Sequence, residues 1–215
     1  MTDKIKVGLI FGGNSSEYEV SIMSAHNIYE EIDTNKFDVY PMWITNDGYL
    51  ADDADSRRVL DNPKMEVANP HKVANISNIV ELKDRPEIDV FFPIVHGNLG
   101  EDGCLQGLFR VLDKPFVGDD VLAAAVTMDK EMTKILAQRA GVPVAKWIAV
   151  KRFEYNDPDN EKLDYEYVAS QLGSDLFVKP SNQGSSVGVS HVTNEKEYKV
   201  ALAEAFKYDD KVLVE

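Results

Sequence analysis

Residues 4–11 (KIKVGLIF) form an apolar run rich in β-branched positions, closed by Gly12-Gly13. Such a run without strict alternation predicts a strand buried on both faces, as in a parallel sheet. The turn Gly12-Gly13-Asn14-Ser15-Ser16 leads into a helix, because Ile22, Ala25, Tyr29 and Ile32 recur at helical spacing. Residues 37–44 (FDVYPMWI) read as a second strand. Residues 45–87 are polar and weakly periodic and read as loop with short elements, including an Asp47-Gly48 turn. A third buried strand, residues 89–95 (DVFFPIV), delivers His96 and a glycine-rich loop at its C-terminal end. In open α/β sheets ligands bind at that end.

Leu105, Leu108, Phe109 and Leu112 mark one helix face, and residues 115–117 read as a short strand. From Val121 to Ala140 the pattern is helical, with a break near Thr127-Met128-Asp129, and Gly141-Val142-Pro143 supplies the stop. Residues 144–150 are strand-like, 153–164 form an acidic connection, and 167–172 a short helix ended by Gly173. Leu176-Phe177-Val178 and residues 187–192 flank a glycine- and serine-rich tip, the pattern of a hairpin. Asn194 with Glu197 predicts the start of a helix running to Phe206, and residues 211–215 (KVLVE) read as a last strand. The fold class expected from this order is α/β, with a domain boundary near Leu122, giving units 1–122 and 123–215.

Composition narrows the function. The net charge is -14 and no basic run occurs, which argues against a nucleic-acid partner. Any phosphate site must therefore rest on locally placed lysines. Cys104 is the single cysteine, so no intrachain disulfide forms. No apolar run reaches the ~20 residues of a membrane span, and Met1-Thr2-Asp3-Lys4 shows no signal-peptide pattern. A cytoplasmic protein without a membrane partner is the expectation.

Several residues stand where chemistry is done. Lys179 at the end of a buried strand, followed by Ser181, Gly184, Ser185, Ser186 and Gly188, suits an anion: a fixed cation beside loop N–H groups and hydroxyls. A flexible surface hairpin with an ordinary lysine explains the same residues. This is not the P-loop pattern, and G-G-N-S-S-E is not the dinucleotide fingerprint. Glu17, at the mouth of the first strand, can anchor a cationic amine or serve as a helix-terminal glutamate favoured by the dipole; Glu19 reads as the latter. His96 can be a general base, a donor to a carboxylate, or a packed histidine. Lys130 in a first helical turn opposes the helix dipole, which points to a phosphate, while surface solvation is the default. Ser185 and Ser186 lack a nucleophile elbow, and no His, Cys or carboxylate set has metal-ligand spacing.

Taken together these stretches resemble one family. Gly12-Gly13-Asn14-Ser15-Ser16-Glu17-Tyr18-Glu19-Val20-Ser21 and His96-Gly97-Asn98-Leu99-Gly100-Glu101-Asp102-Gly103 are similar to the two N-terminal signatures of D-alanine–D-alanine ligases. Met128-Asp129-Lys130 and the run from Lys179 to Gly188 complete the set in the family's order. The resemblance implies a Rossmann-like pre-ATP-grasp domain with a parallel sheet, followed by an incomplete ATP-grasp region. It implies an ATP-dependent ligase of peptidoglycan precursor synthesis, in which the carboxylate of one D-alanine is phosphorylated and the amine of a second attacks the acyl phosphate. Carried over, Glu17 holds the ammonium of the first D-alanine with Ser185 in support, and His96 lies near that substrate. Lys130 and Lys179 contact ATP phosphates, Ser186 and its neighbours, Ser185 among them, close over the γ-phosphate, and Glu215 meets the adenine amino group.

The family's pattern continues past the position of Glu215, where its Mg²⁺ ligands and an arginine lie. The expectation is accordingly an N-terminal fragment without ligase activity of its own and with no metal ligands to name. A homodimer is the assembly the resemblance implies. A D-alanine–D-lactate ligase, a non-catalytic nucleotide- or amino-acid-binding module and a different carboxylate–amine ligase of the ATP-grasp group are the competing readings; Glu17 and His96 at the family's spacing count against the last.

Overall fold

The computed structural model describes residues 3–65, 67, 69–75, 88–157, 160 and 163–215. They divide into two compact units, Met1–Ala125 and Val126–Glu215.

The first unit is built on a five-stranded sheet in the order β4-β3-β2-β1-β5. Its strands are β1 (Ile5–Gly12), β2 (Phe37–Ile44), β3 (Tyr49–Ala51), β4 (Lys72–Asn75) and β5 (Val90–Pro93). β1 lies between β2 and β5 and is parallel to both, whereas β3 and β4 add antiparallel pairs at one side. The unbroken apolar runs of β1 and β2 follow from this central placement. Alternate side chains face opposite layers. Leu9, Phe11, Val39 and Trp43 pack with Ile22 and Ala25 of α1 (Tyr18–Glu31) and with Val59 and Leu60 of α2 (Asp53–Asp61). Ile10, Met42 and Ile44 pack on the other face with Phe91, and with Leu105 and Phe109 of α3 (Cys104–Val111). Phe91 and Phe109 stack with ring centroids 4.9 Å apart.

The polar stretch after β2 is more regular than its sequence suggests. α2 is a nine-residue helix whose N-cap, Asp52, accepts the Asp55 amide at 2.7 Å. Its charged residues hid a buried stripe of Asp55, Ser56, Val59 and Leu60. The part of the expected loop over 76–87 lies outside the described residues. Residues 115–117 form no strand; Phe116 makes one isolated parallel bridge to Phe91.

The second unit holds a four-stranded antiparallel sheet in the order β6-β9-β7-β8, with β6 (Ile148–Lys151), β7 (Leu176–Pro180), β8 (Ser190–Val192) and β9 (Lys211–Val214). The helical stretch does break where expected: α4 (Val121–Met128) ends before Asp129, and α5 (Lys130–Arg139) starts after it. A one-turn helix, α6 (Arg152–Tyr155), opens the acidic connection, and α7 (Tyr165–Leu172) follows. The second arm of the hairpin is shorter than its apolar pattern, because 187–189 belong to the loop.

α8 (Glu195–Ala205) is capped by Asn194, which accepts the Glu197 amide at 3.0 Å, and it buries Tyr198, Ala201, Leu202 and Ala205 against the sheet. Tyr198 is 1% exposed, and its hydroxyl has no hydrogen-bond partner among the described residues. Burial, helped by the charge of Asp164, raises its phenol pKa far above the ordinary value. A buried unsatisfied hydroxyl costs about 1–3 kcal/mol. Tyr198→Phe should therefore raise the unfolding free energy by about 1 kcal/mol in urea titration; a loss of that size instead would show that the hydroxyl is bonded.

Candidate functional site

In the first unit the site grows from the C-terminal ends of β1 and β5. Gly12 and Gly13 both have positive φ, 88° and 100°. A Cβ on Gly12 would lie 2.1 Å from the Ile44 carbonyl oxygen, so only glycine lets β1 turn here. The buried hydroxyl of Ser21 fixes that turn: it accepts the Gly12 amide at 2.8 Å and donates to the Ile94 carbonyl at 2.6 Å. One turn further along α1, Ser24 Oγ lies 3.0 Å from His96 Nε2.

His96 is half-buried, and its Nδ1 lies 3.6 Å from Glu101 Oε1. Glu101 is held by the loop it belongs to. Its Oε2 accepts the Gly97 amide at 2.8 Å, and its own amide donates to the Gly97 carbonyl at 3.0 Å. Ser15 Oγ donates to the His96 carbonyl at 2.8 Å and accepts the Glu17 amide at 3.2 Å, joining the two signature loops. Glu17 is the N-cap residue of α1, yet its side chain makes no capping hydrogen bond. The Glu17 carboxylate is turned instead toward the second loop: a Cβ on Gly97 would lie 2.7 Å from Glu17 Oε2. Glu17 and His96, 79 positions apart in sequence, thus share one end of one sheet, with carboxylates and an imidazole suited to a small zwitterion.

In the second unit the cations converge. Lys130 opens α5, with Asp129 as its N-cap. Its Nζ donates to the carbonyls of Ser181, at 3.3 Å, and Gln183, both at the root of the serine-rich loop. Burial, and then the charge of Lys179, depress the Lys130 pKa. Lys179 projects from the end of β7 and is paired with Glu215, which is also paired with Lys134. These three side chains are 14–18% exposed. Burial alone would raise the Glu215 carboxyl, but bonds from Lys134 and Lys179 outweigh it and hold the pKa below the usual range. Ser185 and Ser186 are consecutive non-glycine residues with left-handed φ, 46° and 61°, a conformation that costs on the order of 1–3 kcal/mol per residue.

Lys130, Lys179 and Glu215 therefore stand in one cluster, with Ser185 and Ser186 in the loop that Lys130 grips at its root. Sequence reasoning missed Lys134, which adds a third cation and lies 5.4 Å from the Trp147 ring centroid. A lysine one turn after Lys130 was the available signal. It also missed Ser24 and Glu101, whose relation to His96 depends on contacts that a single sequence does not reveal. Depressions of about 520 Å³ and 330 Å³ in this unit are lined by other residues, around Phe153 and around Trp147. Among the described residues no group of three or more His, Cys, Asp or Glu is placed to hold a metal ion, and no helix is long and apolar enough to cross a membrane.

Comparison with known proteins identifies the family. Residues 6–119 match the family model described as D-ala D-ala ligase N-terminus, and residues 136–215 match the D-ala D-ala ligase C-terminus. A curated relative, D-alanine--D-alanine ligase of Lactobacillus johnsonii, is 99% identical over the whole chain, which covers 60% of that protein. The D-Ala:D-Ser ligase VanG of Enterococcus faecalis superposes with a TM-score of 0.78 at 35% identity, over 99% of this chain and 62% of that one. The D-alanine-D-alanine ligase of Coxiella burnetii gives 0.77 at 33% identity, over 98% and 63%. The chain spans about 60% of the length of the curated relatives it matches.

Proposed function

The chain belongs to the D-alanine–D-alanine ligase family, and on that premise we propose that it contributes the first-substrate and nucleotide groups of an enzyme that joins two D-alanines at the expense of ATP. The observation that carries this reading is the division of labour between the units. One presents Glu17 and His96 at the C-terminal ends of parallel strands; the other presents Lys130 at the root of a serine-rich loop, with Lys134 and Lys179 paired to Glu215. We assign residues 1–122 to the substrate side and 123–215 to the ATP-grasp side; the compact units divide close by, after Ala125.

In this proposal the Glu17 carboxylate receives the ammonium of the first D-alanine. His96, held between Ser24 and Glu101, faces that substrate's carboxylate. The carboxylate oxygen takes the γ-phosphoryl group of ATP, the bond from that phosphorus to the bridging oxygen breaks, and ADP leaves with the bonding pair. The amine of the second D-alanine then attacks the acyl carbon, the C–O bond to phosphate breaks, and inorganic phosphate leaves with the bonding pair and the proton that the amine nitrogen gives up. Lys130 and Lys179 neutralise phosphate charge, and Ser185 and Ser186 cover the reacting groups so that water does not intercept the acyl phosphate. In this proposal Glu215 meets the adenine amino group; its carboxylate keeps acceptor capacity beside the two lysines that engage it. Mg²⁺ is the metal of this chemistry, and it finds no ligand set among the described residues.

The test is D-alanine-dependent ADP release, with Mg²⁺, by the protein extended to the length of its relatives. D-Alanyl-D-alanine as the product supports the reading. D-Alanyl-D-lactate or D-alanyl-D-serine as the main product from mixed substrates would reassign the second substrate. ATP turnover indifferent to D-alanine would remove the ligase assignment. A cytoplasmic location and a homodimer complete the proposal.

A further inference from the structure

Asp129 is bonded well beyond what a helix cap requires. Its Oδ1 accepts the amides of Glu131 and Met132 at 3.0 and 3.1 Å, which is ordinary capping. The same oxygen also accepts the hydroxyl of Ser181 at 3.0 Å, and Oδ2 accepts Lys211 Nζ at 2.6 Å. Lys211 reaches Glu131 as well, at 2.9 Å. Burial pushes the Asp129 carboxyl up, yet the bonds from Lys211, the Met132 amide and Ser181 together hold its pKa below the usual range.

The neighbouring residue grips the same place. Lys130 donates its backbone N–H to the Ser181 carbonyl at 3.1 Å, in addition to its ammonium contacts with Ser181 and Gln183. Ser181 is fully buried, and its own amide donates to the Lys211 carbonyl at 2.9 Å. Asn182 is held next, through its amide and side chain, by Asp209 at 2.6 and 3.0 Å. Past Gln183 the backbone bonds are local turns, Val187 N to the Gly184 carbonyl and Val189 N to the Ser186 carbonyl. The loop is thus fixed at its root through Ser181 and Asn182.

We infer that Asp129 is a positioning residue for the nucleotide side of the site: its Oδ1 tethers the loop root at Ser181 to the head of α5 and so fixes Lys130 and the loop 181–188 relative to one another. The inference rests on the nucleotide reading of this unit.

Three variants of the full-length protein separate tethering from capping and from charge pairing. Asp129→Ala removes cap, tether and ion pair together. Ser181→Ala removes the tether alone. Lys211→Met removes the ion pair and leaves the Ser181 contact. Each is read by amide hydrogen exchange over 182–188 and by the Kd of a non-hydrolysable ATP analogue. Ser181→Ala should speed exchange of these amides about tenfold relative to β7 and weaken the analogue about fivefold. Asp129→Ala should do at least as much, whereas Lys211→Met should lower the Tm yet leave both readouts within about twofold of wild type. Wild-type exchange and affinity in Ser181→Ala would overturn the inference even if Asp129→Ala fails to fold. Loosening by Lys211→Met equal to that by Ser181→Ala would overturn it too, by transferring the role to the ion pair. A wild-type protein that binds no analogue would instead remove the nucleotide reading, and the exchange comparison would still decide whether Asp129 holds the loop.

Discussion

Lys179→Met in the full-length protein should lower kcat/KM for ATP by about a hundred- to thousand-fold. The magnitude is that of one lost electrostatic contact to charge developing in a transition state, roughly 2.7–4 kcal/mol. Three features support an effect of this size. Lys179 stands at the end of β7, an inner strand whose neighbours Val178 and Pro180 are buried, so the base of its side chain is fixed. Its side chain is only 18% exposed, which limits the screening that makes surface charges weak. The fold also tolerates the change. Glu215 keeps Lys134 when Lys179 is removed, so the substitution leaves no unpaired buried carboxylate. The melting temperature should accordingly fall by only a few degrees, and methionine preserves the packing of the aliphatic stem. Steady-state kinetics with varied ATP and saturating D-alanine read the result. A kcat/KM within about fivefold of wild type would mean that Lys179 serves Glu215 and the strand end rather than phosphate.

How far the sequence carries these conclusions differs from residue to residue. The parallel core was legible because β1 and β2 are buried over most of their length and β5 is at least half-buried, and such burial writes itself as a largely apolar run. The break between α4 and α5 was legible because aspartate caps helices for a local reason. α2 was obscured for the opposite reason: four of its first six residues, Asp53, Asp55, Arg57 and Arg58, are charged, while Asp55 is buried and accepts the His71 amide at 2.8 Å, a partner sixteen residues away. The site splits in the same manner. Glycine loops at strand ends announced Glu17, His96 and the serine loop. The contacts within the candidate site, from Glu101 to His96, Lys134 to Glu215 and Lys211 to Asp129, depend on how strands and loops are placed in space. Lys211 lies 82 positions from Asp129, and no periodicity links them.

The second large effect is expected at Glu17. In the full-length protein Glu17→Gln should raise the KM for the first D-alanine by roughly 5- to 150-fold while leaving the KM for ATP unchanged. The range corresponds to about 1–3 kcal/mol, the cost of leaving an ammonium without the carboxylate that would receive it. Glutamine matches glutamate in shape, so contact with the Gly97 backbone and the entry into α1 should persist. What changes is charge. Some of that charge acts on the helix, since a carboxylate at an N-terminus is worth about 0.3–1 kcal/mol through the dipole, and a small fall in Tm is expected for that reason alone. The helix effect cannot distinguish one substrate from another, whereas loss of an ammonium partner must. The ratio of the two KM changes is therefore the deciding readout. A selective rise for D-alanine places Glu17 on the substrate. Equal KM values with a lower Tm would return it to the helix end, leaving the ammonium to be sought among the other carboxylates of the two signature loops, Glu101 first because it already faces His96.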